Sequence, residues 1–174
     1  MKKIILLWSL VVIWMGVIFY LSSMNTEESN GKSKEVIDKV VDTTIDTTNH
    51  IGLTKENVSS KKKEKITDTL NKPLRKCAHA SVYFILSILI LNALLKTIPT
   101  LNQKQFLSIL IAIFCCFIYA CTDEYHQTFV SGRTGQFSDV LIDTLGATIA
   151  CFLYTRLLKR KKRFFLKIIY KNCK

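Results

Sequence analysis

Apolar residues along this chain come in long uninterrupted runs rather than at helical or strand period. The first run, Ile4 to Leu21, is about 18 residues without a charge. At 1.5 Å per residue it covers roughly 27 Å, enough to cross a bilayer core. It is longer than the core of a cleaved leader, and no small-residue cleavage pattern follows it, so an uncleaved transmembrane helix is expected. Three more runs follow, over about 77–95, 106–122 and 139–158. The predicted fold class is an all-α polytopic membrane protein with four transmembrane helices. Its parts would be a first helix (1–21), a polar linker (22–74), a three-helix core (75–158) and a basic tail (159–174).

Polar positions refine these elements. In the linker, Val36, Ile37, Val40, Val41 and Ile45 recur at helical spacing, which predicts a short amphipathic helix lying on the membrane or on the protein. Lys61-Lys-Lys-Glu-Lys65 reads as a solvated face. Pro73 suits the first turn of the second helix. On that helix Lys76, His79 and Tyr83 stand at i, i+3 and i+7, and Ser87 extends their stripe. A polar stripe on a membrane helix must face protein or water, not lipid. On the fourth helix Asp139, Asp143, Gly146, Ala147 and Ala150 share one side. Small residues such as Gly146 and Ala150 let a neighbouring helix approach closely.

Charge then sets the expected orientation. The chain has 174 residues, 49% of them hydrophobic, a mean hydropathy of +0.23 and a formal net charge of +12. The positive charge lies beside apolar runs, in Lys2, Lys3, the 96–104 loop and the 159–174 tail. Placing these on the cytoplasmic side satisfies the positive-inside rule, with both termini inside and the linker and the 123–138 segment outside. The basic tail is expected on anionic lipid rather than on nucleic acid. The six cysteines form no C-x-x-C pair and read as small packing residues, so no metal or other cofactor is expected.

The chemistry-bearing side chains concentrate in Arg75-Lys76-x-x-His79-x-x-x-Tyr83, in Asp123-Glu124-x-His126-Gln127 with Gly132-Arg133, and in Ser138-Asp139-x-x-x-Asp143-Thr-x-Gly146. These three motifs, in this order and at these helix positions, resemble the VanZ-like family of small membrane proteins over roughly residues 72–155, and more loosely over the first helix with its Ser22-Ser23 exit. The chain departs from the family pattern at Ser131, where a proline is usual, and at Asp143, where an asparagine is usual. Ala150 stands at a position that is often glycine. The resemblance implies a cell-envelope role. The family's namesake is linked to low-level resistance to teicoplanin. A phosphotransbutyrylase label attached to some members finds no coenzyme A-binding residues here.

Four readings of the polar residues stand open. In the first, they close on one another and lock the helices, with Arg133 paired to Asp123, Glu124 or Asp139 and Lys76 paired to Asp143 or Asp139. In the second, Arg75, Lys76, His79 and Arg133 present donors to an anionic headgroup, such as a phosphate or pyrophosphate on an isoprenoid lipid or a lipid-linked cell-wall precursor. In the third, Asp123, Glu124, His79, His126 and Asp139 hold a metal for lipid-phosphate hydrolysis or transfer. No metalloprotease helix, phosphate loop or serine-nucleophile motif is present, so a non-enzymatic role is favoured. In the fourth, the linker holds a partner such as a cell-wall enzyme.

Overall fold

In the computed structural model, the residues described are 1–24, 31, 34–37, 39–40, 42–43 and 60–172. The elements are α1 (Lys2–Ser22), α2 (Ser60–Thr97), the short α3 (Pro99–Gln103), α4 (Gln105–Gln127) and α5 (Phe137–Asn172). No strand occurs among the described residues. Among the described residues, four helical stretches are long and apolar enough to cross a membrane: Lys2–Ser22, Thr69–Thr97, Gln105–Gln127 and Phe137–Arg160. Fold class and span number therefore follow the hydrophobic pattern, because helices alone satisfy every backbone group within a lipid-facing segment.

Every principal helix runs further than its apolar run. α2 begins at Ser60, so Pro73 lies inside it rather than in its first turn. The upstream residues are rich in helix-forming Lys, and the proline forfeits a single backbone donor. α4 continues to Gln127, which puts Asp123, Glu124, His126 and Gln127 on its last turns instead of in a connector. α5 stays helical through the basic tail to Asn172.

The centre of the bundle is the α2–α5 contact, with α4 packed against both and α1 laid on α2. Gly146 makes the close α2–α5 approach possible. A side chain there would strike the backbone of Ala80, carbonyl oxygen first. Ala147, Ala150 and Cys151 are fully buried on the same side of α5, the small-residue packing expected where helices meet without a hydrophobic driving force. Tyr83, Leu86 and Leu91 fill the α2 side. Cys116 and Cys151 are buried free thiols within this core.

Among the described residues, three long-range hydrogen bonds fasten α1. Trp8 Nε1 donates to Thr97 Oγ1 at 3.0 Å, Trp14 Nε1 donates to the Val82 carbonyl at 2.9 Å, and Tyr119 OH donates to the Met15 carbonyl at 2.6 Å. Much of the remaining α1 surface is apolar and exposed, as a lipid-facing helix requires. Of the linker's amphipathic positions, Ile37 is buried while Val36 and Val40 are exposed. Val41 and Ile45 lie outside the described residues, as do the side chains of 61–65.

Candidate functional site

The polar side chains gather at the end of the bundle where α1 and α4 finish and the membrane-crossing part of α2 and α5 begins. They separate into three groups that the sequence pattern does not distinguish.

The first group is a closed ion pair. Lys76 Nζ donates to Asp139 Oδ1 at 2.8 Å, joining α2 to the first turn of α5. Both side chains are partly buried. The carboxylate also lies near the positive end of the α5 dipole, which adds to its stability as an anion. Of the expected partners for Lys76, the structure selects Asp139.

The second group lies behind, in the core. Tyr83 and Asp143 are 0% exposed, Asp123 is 3% and Glu124 is 6%. Gln127 Nε2 donates to Asp123 Oδ2 at a long 3.4 Å, and Glu124 Oε2 accepts the Gln136 backbone N–H at 2.9 Å. The other oxygens of Asp123 and Glu124, both oxygens of Asp143 and the Tyr83 hydroxyl have no hydrogen-bond partner. Asp143, the departure from the family's asparagine, is thus wholly enclosed. Ser22 at the end of α1 stands close to Asp123, yet its Oγ makes no bond of acceptable geometry. His126 turns toward α1, its ring 4.3 Å from that of Phe19.

The third group lines a cavity of about 360 Å³ between the end of α1 and the N-terminal half of the apolar stretch of α2. Its walls are mostly aliphatic: Ile18, Leu21, Val36, Leu74 and Val82. Into this apolar space come Arg75 and His79 from α2 and Arg133 from the α4–α5 connection. Among the described residues, neither arginine side chain has an ion pair or a hydrogen bond, and Arg133 Nε is buried and unpartnered. The two guanidinium groups repel one another. Burial first, and then Arg75, push the Arg133 pKa below its ordinary value, while Asp123 and Glu124 oppose that shift from a distance. Arginine stays cationic under such a shift. The expected pairing of Arg133 with Asp123, Glu124 or Asp139 is therefore not made.

A tight turn explains why. Arg133 N donates to the Val130 carbonyl at 3.1 Å, and Gly132 has φ 75°. This is a turn over 130–133 with a positive φ at its third position, which favours glycine, and with Ser131 at the second position, which favours proline. The turn points Arg133 to the cavity rather than back along α4. Ser131→Pro is expected to be accepted with a gain of roughly 0.4–1 kcal/mol, because Ser131 N–H donates no hydrogen bond among the described residues. Gly132→Ala should lose about 1–2 kcal/mol. Thermal unfolding of the detergent-solubilised protein checks both; opposite signs would mean the turn is wrongly described.

The family is fixed at this point. The profile of VanZ/LLP1 matches residues 7–159, nearly all of the helical bundle. The chain belongs to the VanZ/LLP1 family. Neither the curated proteins nor the solved structures offer a match to it. The family match reaches further than the three polar motifs do, taking in α1, which supplies Ile18, Leu21 and Ser22 to the cavity wall.

The VanZ-like motifs thus divide between holding and presenting. Lys76, Asp139, Glu124 and Gly146 hold the helices and the connection in place. Arg75, His79 and Arg133 are presented. The apolar wall was missed in the sequence, although Leu74, Ala78 and Val82 stand at i, i+4 and i+8 beside the polar stripe of α2.

Proposed function

We propose that this VanZ-family protein is a non-enzymatic membrane protein of the cell envelope that holds an anionic lipid headgroup in the cavity between α1 and α2. The observation that carries this reading is the pair of unpaired guanidinium groups, Arg75 and Arg133, on the wall of an otherwise aliphatic cavity. A lone cation in such a place is costly, and two that repel are costlier, unless an anion sits between them. Guanidinium groups suit phosphate through paired N–H donors, and the aliphatic wall suits the carbon chain beside it. Charge asymmetry supports an outward-facing cavity, with the basic ends and the 96–104 loop in the cytoplasm. On that side the ligand pool includes lipid-linked cell-wall precursors, which would connect the site to glycopeptide action of the teicoplanin type.

The metal-assisted alternative has weaker support, since no three His, Cys, Asp or Glu side chains among the described residues come together as a metal site. His126 faces Phe19 instead of joining Asp123 and Glu124 in a ligand set.

Photo-crosslinking with a phosphate-bearing lipid probe tests the binding reading. Labelling of the wild type is expected to fall at least about tenfold in Arg133→Ala, the loss of one charge-assisted contact. Equal labelling of the two proteins would defeat the proposal.

A further inference from the structure

The same cavity carries a narrower statement about its ligand, one that rests on the anion-binding reading above. We infer that the anion is a phosphate monoester carried by a membrane lipid, as in a bare polyprenyl monophosphate or phosphatidic acid, rather than a phosphodiester or a glycan-bearing diphosphate.

Charge balance is the first argument. Arg75 and Arg133 are both presented to the cavity without an ion pair among the described residues, Asp123 and Glu124 acting on Arg133 only from beyond contact distance, whereas Lys76 is already paired with Asp139. The site therefore offers two positive charges. A phosphate monoester carries about −1.5 to −2 near pH 7 and matches them. A phosphodiester brings a single negative charge and leaves one guanidinium unbalanced against an apolar wall. A diphosphate brings more negative charge than the two arginines offset, and its excess would meet the field of Asp123 and Glu124, which already act on Arg133. Uncompensated charge in a partly buried apolar place is heavily penalised in either case.

Room is the second argument. The cavity of about 360 Å³ is partly open, so it seats a phosphate group and the first few carbons of its chain and leaves any larger headgroup outside the walls. The shape of the chemistry agrees. The donors Arg75, His79 and Arg133 share the cavity with Ile18, Leu21, Leu74 and Val82. Inorganic phosphate would leave those aliphatic walls unfilled, and an alcohol of the same chain would leave the guanidinium groups unpaired.

The test uses the full chain in nanodiscs of neutral phosphatidylcholine, titrated and read by native mass spectrometry. The probes are farnesyl phosphate, dioleoyl phosphatidic acid, farnesyl diphosphate, dioleoyl phosphatidylglycerol, farnesol and inorganic phosphate. Either or both monoesters are expected to bind at least about tenfold more tightly than phosphatidylglycerol, farnesol and inorganic phosphate, and more tightly than the diphosphate. Which monoester leads separates the isoprenoid source from the glycerolipid source. Arg75→Gln and Arg133→Gln should each remove the monoester preference.

A second measurement needs no variant. Lowering the pH from 8 to 5 protonates the monoester, whose second pKa is about 6, and leaves the diester unchanged. The groups facing the ligand are Arg75 and His79 on α2 and Arg133 on the connection, with Asp123 and Glu124 of α4 and Asp139 and Asp143 of α5 behind them. Protons taken up by the site as pH falls make it more positive and so favour the doubly charged monoester over the diester; a fall in the ratio of monoester to diester affinity therefore reports the proton gained by the phosphate. That ratio should fall several-fold at pH 5. If phosphatidylglycerol or the diphosphate binds as tightly as the monoesters, with the arginines still required, the monoester inference is overturned and anion binding stands. If no anion binds in an arginine-dependent way, the underlying reading fails with it.

Discussion

Replacing both Arg75 and Arg133 with glutamine is expected to weaken retention of an anionic lipid by at least about a hundredfold, with the bundle still folded. Charge-assisted hydrogen bonds contribute roughly 1.5–3 kcal/mol each, so losing one from each side of a bound phosphate costs a factor of about 10² to 10⁴ in affinity. Neither side chain holds the fold together through an ion pair among the described residues. Removing two repelling, half-buried charges should leave the empty protein as stable as the wild type or slightly more so. Thermal unfolding by fluorescence-detected size-exclusion chromatography, run beside a lipid-binding titration, reads both quantities. A variant that lost binding and also lost tens of degrees of stability would show that the arginines are structural.

Gly146→Leu is expected to have the opposite profile: loss of the folded protein rather than loss of one contact. A side chain at this position meets the Ala80 backbone, which cannot swing aside as a flexible side chain would. Overpacking a membrane-helix contact typically costs about 1–3 kcal/mol and more when backbone must move. Here the contact joins α2 to α5, the pair of helices that carries Lys76, Tyr83, Asp139 and Asp143. The expected readout is a large fall in monodisperse yield. Gly146→Ala should produce a smaller effect of the same sign. Normal yield and melting for Gly146→Leu would mean that α2 and α5 pack less closely than described.

Much of the architecture was legible because a bilayer leaves a chain few options. An apolar run of membrane length must be a helix, and a stripe such as Lys76, His79 and Tyr83 must turn inward. The small-residue side of α5 was legible for the same reason. Helix ends were harder to read. Pro73 is expected from the sequence to begin α2, but the preceding Lys-rich turns outweigh one missing donor, so the helix starts at Ser60. The acids at 123 and 124 were placed in a connector because polar residues end an apolar run, yet the helix continues beneath them to Gln127.

The partners of the charged groups were not legible at all. Lys76 had two candidate acids and Arg133 had three, and composition cannot choose among them. The choice was made by geometry: Asp139 sits in the first turn of α5, opposite Lys76, while the 130–133 turn sends Arg133 the other way. The cavity was invisible for a simpler reason. Its walls are ordinary aliphatic residues from α1, the linker and α2, and nothing in Ile18, Leu74 or Val82 marks it as lining rather than packing.

The central claim is that the unpaired guanidinium groups of Arg75 and Arg133 hold a lipid anion. Its most direct test is to purify the wild type and the Arg75→Gln/Arg133→Gln variant from bacterial membranes under identical mild conditions and identify the bound lipids by mass spectrometry. The account predicts a phosphate-bearing lipid retained at near one-to-one ratio by the wild type and absent from the variant. The same lipids in the same amounts on both proteins would contradict it.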